Sequence, residues 1–303
     1  MRALRASGGA AAMRGGGAAA MRGGGAAGVR RLPVGFWTAI GFLLVAVYLF
    51  PIYWMVTGSI KNQDDLFASP PQLVPIHPQF STWSHEIVHK PEVVEYIRNT
   101  FVVATGTMVL ALLLAAPAAY ALATFPMRGK SLIMLFCLSS LMLPAIMLAT
   151  PLFVIFSRIH LTNSLFGLIL ADTTVALPYA IVLLRPTFAS IPQDLADAAQ
   201  IDGSSSFGAF VRIVLPLARP GLATVGVLSF LWGWGDLVFA LTLTSDDSHR
   251  VVTTGLANFF GAFATDWAGA MAFCSLAMLP PLIVFIFAQR QVIAALTTGG
   301  TKG

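Results

Sequence analysis

The sequence predicts an all-α membrane protein that crosses the bilayer six times. Its composition indicates this fold class, because 57% of its 303 residues are hydrophobic and only 10% are charged, whereas a soluble domain carries about 25% charged residues. The length of its apolar runs supports the same conclusion, since a helix needs roughly 20 apolar residues to cross the hydrocarbon core. Six such runs are found, at 32–60, 99–127, 131–157, 161–184, 220–245 and 267–289.

Two of these six runs carry an acid. The run 161–184 contains Asp172 and the run 220–245 contains Asp236, while the other four contain no Asp, Glu, Lys or Arg. A charge near the bilayer centre costs about 2.5–3.5 kcal/mol on insertion scales. We therefore expect both carboxyl groups to face protein or a wet cavity.

Basic residues predict the orientation, because Lys and Arg concentrate in cytoplasmic segments. With the N-terminus inside, thirteen of the 18 Lys and Arg residues fall on the cytoplasmic side. Both termini are therefore expected in the cytoplasm. The net charge of +5 then reflects topology, and no nucleic-acid surface is expected.

The N-terminal segment differs from the rest of the chain, since "AAAMRGGG" begins at Ala10 and repeats at Ala18. Gly triplets disfavour a helix, and no apolar periodicity is present to dock the segment. We predict a disordered cytoplasmic tail over 1–34 and a transmembrane domain over 35–303. A transit peptide is the alternative, but it would show an amphipathic pattern and Ser enrichment.

A soluble stretch, "DAAQIDGSSSFGAFVRIVLP" at 197–216, lies between the fourth and fifth runs, on the predicted cytoplasmic side. Pro192 suits a first helical turn, and Gly203 suits the left-handed backbone that commonly ends a helix. The residues that share one face of this first helix are Leu195, Ala198, Ala199 and Asp202.

A second short helix is expected after Gly203, capped by a Ser of 204–206 and ended by Leu215-Pro216. Its apolar residues at i, i+3, i+4 and i+7 are Phe207, Phe210, Val211 and Val214. Two short helices at an angle form a knob that can press into a groove on another protein. An ordinary surface loop is the alternative.

The stretch resembles the cytoplasmic loop of ABC importer permeases, whose pattern is Glu-Ala-Ala, three residues, Gly, nine residues, then Ile-x-Leu-Pro. The matching positions are Asp197, Ala198, Ala199, Gly203, Ile213, Leu215 and Pro216. Asp202 also matches the carbohydrate-importer version. Asp197 stands where Glu is usual, which keeps the charge and shortens its reach.

The resemblance covers everything except the tail and is closest to the maltose-type second permease, although Gly235 in "FLWGWGDLVFAL" replaces the usual Asn. It implies the ABC importer permease fold in a bacterial cell membrane, with a cytoplasmic coupling loop at 187–219. It also implies a non-catalytic subunit of a sugar importer, with ATP and Mg held by the ATPase. The implied partners are a second permease, two cytoplasmic ATPase subunits, an extracytoplasmic sugar-binding protein and the sugar.

The segment "TFPMRGKS" approaches a phosphate-binding loop, which needs a Gly, four residues, then Gly-Lys-Ser between a strand and a helix. Gly129, Lys130 and Ser131 fit this pattern, but Thr124 replaces the first Gly and both flanks are apolar runs. We interpret the segment as a basic cytoplasmic turn, and we expect the chain alone to neither bind nor hydrolyse ATP.

Two other functions fit part of the sequence. A secondary transporter would explain buried acids in Pro-broken helices, but it gives no reason for the pattern at 197–216. An intramembrane aspartyl protease would use Asp236, within "GWGD", together with Asp172 sharing a proton. Against it, Asp172 lacks the neighbouring Tyr of that family, whose Pro-Ala-Leu motif is also absent.

The substrate pathway is predicted at Asp236, Trp232, Trp234 and Asp172, because carboxylates can bind sugar hydroxyls and indole rings can cover apolar sugar faces. A structural hydrogen bond between helices is the alternative for both acids, and it is favoured for Asp172. By resemblance, the loop between the last two runs contacts the binding protein through Asn258, Phe259, Phe260 and Gly261. No metal site is expected.

Overall fold

A computed structural model describes residues 34–261 and 265–300 of the chain, and within these ranges the secondary structure is helical, with a single isolated β-bridge between Phe260 and Thr265. The chain forms two units, 1–49 and 50–303. The described residues of the first unit, 34–49, belong to α1 (Val34–Gly58). The predicted tail lies outside the described residues except for its last position.

The first half of the larger unit contains α2 (Gln63–Leu66), α3 (Ser81–Val88), α4 (Pro91–Thr124), α5 (Lys130–Ser140), α6 (Ala145–Arg158) and α7 (Leu165–Ala189). The second half contains α8 (Asp194–Ile201), α9 (Ser206–Ala209), a π-helical turn (Phe210–Val214), α10 (Leu215–Leu217), α11 (Arg219–Gly235), α12 (Val238–Leu243), α13 (Val252–Gly255), α14 (Trp267–Ala277) and α15 (Leu279–Gly300). Two 3₁₀ turns, Asp247–His249 and Leu256–Phe259, flank α13.

Four stretches of helix are long and apolar enough to cross a membrane: Gly35–Gly58, Pro91–Thr124, Leu165–Ala189 and Trp267–Arg290. Two bent pairs of helices pass the same test only when each pair is counted together. Four of the six predicted spans are thus confirmed as helices of spanning length, and the other two differ from the prediction.

The third predicted span, 131–157, is wrong as a single helix, because α5 and α6 meet at an angle of 98°. The helix stops after Ser140, and Pro144 precedes α6 with an extended backbone, φ −61° and ψ 135°. Proline has no N–H to donate and disfavours a helical conformation in the residue before it. The break between α5 and α6 therefore follows from Pro144, and a count of apolar residues cannot detect it.

The fifth predicted span, 220–245, is also interrupted. Helix α11 ends at Gly235, and Asp236 is extended, with φ −64° and ψ 127°. At its other end, α11 meets the preceding helical segment Ser206–Leu217 at 79°. The predicted stop at Leu215-Pro216 is therefore one to two residues early, since Pro216 falls in the first turn of α10, where proline is tolerated.

The core of the larger unit is built where α4 packs along α7 and both contact α11. Its central side chains are small, and those that are fully buried include Ala111, Ala115, Ala119, Ala171 and Ala180. Small residues let two helix backbones approach closely inside a membrane, where lipid gives no hydrophobic drive for helices to associate. The α4–α7 pair is therefore the rigid frame on which the candidate sites are placed.

Candidate functional site

The predicted bend at Gly203 is present and is held by backbone hydrogen bonds. Gly203 has φ +92°, as predicted for a left-handed residue at the end of a helix. Its N–H donates to the Gln200 carbonyl at 3.0 Å, and the Ser204 N–H donates to the Ala199 carbonyl at 2.9 Å. These two bonds form a Schellman motif, which satisfies the last carbonyls of α8.

The second short helix begins with the predicted serine cap. The Ser205 hydroxyl accepts a hydrogen bond from the Gly208 N–H at 3.1 Å, and the Ser206 hydroxyl reaches back to the Gln200 side chain at 3.0 Å. Both ends of the bend are thus fixed by local polar contacts. Helix α8 starts at Asp194, two residues after the predicted Pro192.

The buried side of this knob (residues 194–217) packs against the ends of α4 and α7. Phe210 and Val214 are buried, and the Phe210 ring stacks on Tyr120 of α4 at 4.9 Å between centroids. Phe188 of α7 completes the cluster, 6.2 Å from Phe210. The knob is therefore packed against both α4 and α7 through this aromatic cluster.

The opposite side of the knob is apolar and open. Ile201 is 85% exposed and Phe207 is 73% exposed, and Leu195 is also exposed. The Asp197 carboxylate is exposed and makes no hydrogen bond or ion pair within the described chain. Of the other predicted positions, Ala198, Asp202 and Gly203 are exposed, whereas Ala199, Ile213, Leu215 and Pro216 are half-buried.

Asp236 caps a helix. Its two carboxylate oxygens accept hydrogen bonds from the Phe239 N–H at 3.3 Å and the Ala240 N–H at 2.9 Å. These are unpaired amides of the first turn of α12, and an acidic oxygen at this position stabilises a helix start. The fifth predicted span is interrupted here because the Asp236 side chain replaces helical backbone bonds.

Asp172 is fully buried in α7, and within the described residues neither of its carboxylate oxygens has a hydrogen-bond partner. Within the described residues it makes no hydrogen bond to Asp236. The shared-proton pair that the protease alternative requires is therefore not formed in this geometry.

A cavity of ≈ 640 Å³ opens beside the break in the third span, a volume within the range of about 300–1,000 Å³ usual for small-molecule sites. Trp232, Tyr179 and Ser229 line it, together with Ser140 and Ala145 from the two sides of the break. The other lining residues are Leu141, Leu143, Val175, Ala176, Leu228 and Leu231.

A second cavity of ≈ 290 Å³ continues along α11 and shares Ala145, Leu231 and Trp232 with the first. Asp236 lies on its wall. Trp232 and Asp236 thus line the same cavity. Trp234 does not, because it is buried against Phe230 at 5.6 Å.

Sequence reasoning missed Tyr179 and Ser229 as cavity residues. The helical period could have found Ser229, because it lies three residues before Trp232 in α11, and residues three apart on a helix are neighbours on one face. Tyr179 has no such neighbour among the predicted pathway residues that line the cavity. The cavity itself could not be predicted, since it depends on the angle between α5 and α6.

The predicted contact loop near Asn258 is organised by hydrogen bonds. The Asn258 side chain accepts from Arg250 at 2.7 Å and donates to the Tyr96 hydroxyl at 3.0 Å. Phe259 is buried and packs on Phe273 at 5.2 Å. Asn258, Phe260 and Gly261 are the exposed members.

Nearby in the same outer segment, hydrogen bonds from Ser248 lower the pKa of the Asp246 carboxyl. This carboxyl therefore remains ionised at neutral pH. No group of three His, Cys, Asp or Glu side chains suited to a metal occurs in the described ranges.

Comparison with known proteins identifies the family. Residues 108–297 match the model of the binding-protein-dependent transport system inner membrane component. The chain is 33% identical to the probable ABC transporter permease protein YurM of Bacillus subtilis, with 86% of each chain covered. It is 35% identical to the trehalose transport system permease protein SugB of Mycobacterium tuberculosis, with 88% of this chain and 97% of SugB covered.

The fold also matches a solved structure. A chain of a bacterial ABC transporter involved in the import of the acidic polysaccharide alginate superposes with a TM-score of 0.73 at 21% identity, covering 84% of this chain and 95% of that one. The fold is therefore that of an ABC importer permease, as the knob pattern at 197–216 predicts. The chain belongs to the family of inner-membrane components of binding-protein-dependent transport systems, and it is a multi-pass membrane protein.

Proposed function

We propose that the chain is one of two different permease subunits of a sugar importer. The observation that carries this proposal is the knob, which presents exposed apolar side chains on a bend fixed by backbone hydrogen bonds. Relatives named for trehalose and diacetylchitobiose transport support a carbohydrate substrate. The chain is non-catalytic in this proposal, and ATP with Mg belongs to the partner ATPase.

The proposed topology has six spans, with each bent pair of helices counted as one span and both termini in the cytoplasm. It is supported by the excess of Lys and Arg on one side of the chain. Residues 35–303 then form the transmembrane domain, and the coupling loop at 187–219 faces the cytoplasm. Residues 1–34 form a tail outside this domain.

The knob is proposed to dock into one of two cytoplasmic ATPase subunits. Ile201 and Phe207 are the apolar contacts, since large exposed apolar groups rimmed by polar residues mark protein-binding surfaces. The exposed Asp197 carboxylate can form an ion pair with a basic residue of the partner. Phe210 connects the knob to α4 and α7, so that a movement of the knob is passed to these helices. The remaining pattern residues, Asp202 to Pro216, hold the shape of the knob.

A pair of substitutions tests this docking. Replacing Ile201 and Phe207 together by Ser is expected to lower the amount of ATPase that co-purifies with the chain, while membrane abundance is unchanged. Ile76→Ser together with Phe80→Ser is the matched control, because these side chains are 64% and 67% exposed in the segment between α2 and α3, outside the knob. Equal ATPase recovery from the double variant and the control would contradict the proposal.

The sugar is proposed to pass along the two connected cavities, where Trp232 covers an apolar sugar face and Asp236 stands at the outer end. Trp234, stacked on Phe230, and Asp172, buried within α7, do not line the cavities, so their proposed part in the pathway is indirect. An extracytoplasmic binding protein delivers the sugar and contacts Asn258, Phe260 and Gly261, with Phe259 anchoring the loop. Trp232→Ala is expected to reduce uptake while leaving ATPase assembly intact, as measured by sugar transport in proteoliposomes.

A further inference from the structure

A third cavity, with a basic lining, lies at the N-terminal end of α5, where the third predicted span begins. It is a cavity of ≈ 420 Å³ whose lining contains two cations and a hydroxyl, from Lys130, Ser131 and Arg185. No acidic side chain lines it. The remaining lining residues are Met134, Leu135 and Leu138, all from α5. This pocket is distinct from the proposed sugar pathway, with which it shares no residue.

Among the described residues, the two cations have no protein partner. Within the part of the chain that the structure describes, neither Lys130 nor Arg185 forms a side-chain hydrogen bond or an ion pair, and the Arg185 Nε is buried without a partner. A buried donor on a charged group is costly unless it is paired. The pocket is therefore built for an anion supplied by another molecule.

The start of helix α5 adds to the positive potential that Lys130 and Arg185 create in the pocket. Gly129 precedes α5 with φ +87° and has no side chain to cap the helix. This 11-residue helix therefore starts without a side-chain cap, and its first two residues are the pocket residues Lys130 and Ser131. Unpaired N–H groups and the helix dipole favour phosphate at such an end.

The rest of the pocket lining is apolar and follows α5 through Met134, Leu135 and Leu138. From Lys130 to Leu138 the helix rises about 12 Å at about 1.5 Å per residue, which spans the distance from the headgroup region to the acyl chains. A neighbouring apolar cavity of ≈ 510 Å³ shares Leu135 and is lined by Leu132, Ile133, Phe136 and Ser139. One ligand that carries an anion at one end and hydrocarbon at the other fits both cavities.

We propose that this pocket binds an anionic glycerophospholipid, with its phosphate between Lys130 and Arg185 and an acyl chain along Leu135 and Leu138. Basic pockets between membrane helices on the cytoplasmic side are suited to anionic lipid headgroups. A soluble phosphate or nucleotide would use only the polar end and would leave the apolar groove empty.

The test uses the complete importer in lipid nanodiscs made of equal parts phosphatidylglycerol and phosphatidylcholine. Native mass spectrometry counts the phosphatidylglycerol that stays bound during stepwise delipidation. Each cation near an anionic headgroup strengthens binding about fivefold, so Lys130→Gln together with Arg185→Gln is expected to weaken retention about 25-fold. Lys130→Gln alone, at a helix terminus where folding is not at risk, is expected to weaken it about fivefold.

Three controls test whether lipid retention depends on the position of the cation, on its charge, and on a lipid rather than a soluble anion. Arg128→Gln removes an exposed cation two residues from Lys130 but outside the cavity lining, and we expect wild-type retention. Arg185→Lys keeps the charge, and we expect most of the retention to remain. Added inorganic phosphate is expected not to displace the lipid, because it cannot occupy the apolar groove.

Three results would overturn the lipid assignment. The first is equal retention of phosphatidylglycerol in the double variant and in Arg128→Gln. The second is retention of phosphatidylcholine as strong as that of phosphatidylglycerol. The third is displacement of the lipid by inorganic phosphate, which would identify the pocket as a site for a soluble anion.

Discussion

Replacing Gly203 by Val should loosen the coupling between this chain and its ATPase. Gly203 has φ +92°, and a Cβ added there would meet no atom within 4 Å. The substitution therefore creates no clash, and its whole cost is the left-handed backbone, about 1–2 kcal/mol for a residue with a Cβ. Relaxing that strain shifts the backbone at the bend and tilts α8 against the helix that follows.

If docking requires the original bend, the variant must adopt the strained left-handed backbone again in order to bind the ATPase, and this costs binding free energy. The association constant should then fall about 5- to 30-fold, since each 1.4 kcal/mol corresponds to a factor of ten. ATPase co-purification and sugar uptake are the measurements. Membrane insertion should be unchanged, because it depends on the apolar spans.

Two variants make this test specific. Gly203→Asn should restore much of the coupling, because Asn tolerates a left-handed backbone better than Val does. Gly129→Val carries the same strain at φ +87°, also with nothing within 4 Å, but lies outside the knob, and its ATPase association should be normal. Wild-type co-purification and uptake in Gly203→Val would refute the reasoning and leave the segment as an ordinary loop.

Three further predictions concern other parts of the chain. The purified chain without its ATPase should show no ATP turnover, because Thr124 stands where a phosphate-binding loop needs its first Gly, and substantial turnover would refute the permease assignment. Deleting 2–28 should leave uptake unchanged at equal membrane abundance, and a loss would reveal a role for the tail. Replacing 258–263 with Gly and Ser should abolish stimulation of ATP hydrolysis by the binding protein, whereas intact stimulation would show a loop without contacts.

The knob was predictable because its determinants are local. Gly203, the serines and the apolar spacing around Phe210 specify a bend, a cap and a packed face over a few residues, and the structure has all three. Which apolar residues stay exposed was not predictable, since Phe207 and Phe210 occupy similar positions in the pattern. Their difference arises from Tyr120, which lies far away in the sequence.

The spans were less completely predictable for a related reason. Apolar length identifies a segment that can enter the membrane, but it does not register where the helix breaks inside it. Pro144, which has no N–H, is visible in the sequence. The prediction gave more weight to the apolar length of the run 131–157 than to this proline. At Asp236 the break depends on which backbone amides the carboxylate reaches, and only the three-dimensional structure supplies that information.

The aromatic cluster of Tyr120, Phe188 and Phe210 connects the short knob to the much longer helix α4. Helix α4 has 34 residues and is therefore about 51 Å long. Because Phe210 is stacked against Tyr120 near one end of α4, a rotation imposed on the knob turns the α4–α7 frame with it. A turn of about 5° about the knob would displace the far end of α4 by about 4 Å, which exceeds the diameter of a water molecule, about 2.8 Å. In the proposed importer, a small rotation at the ATPase would thus become a displacement of several ångströms on the opposite side of the membrane.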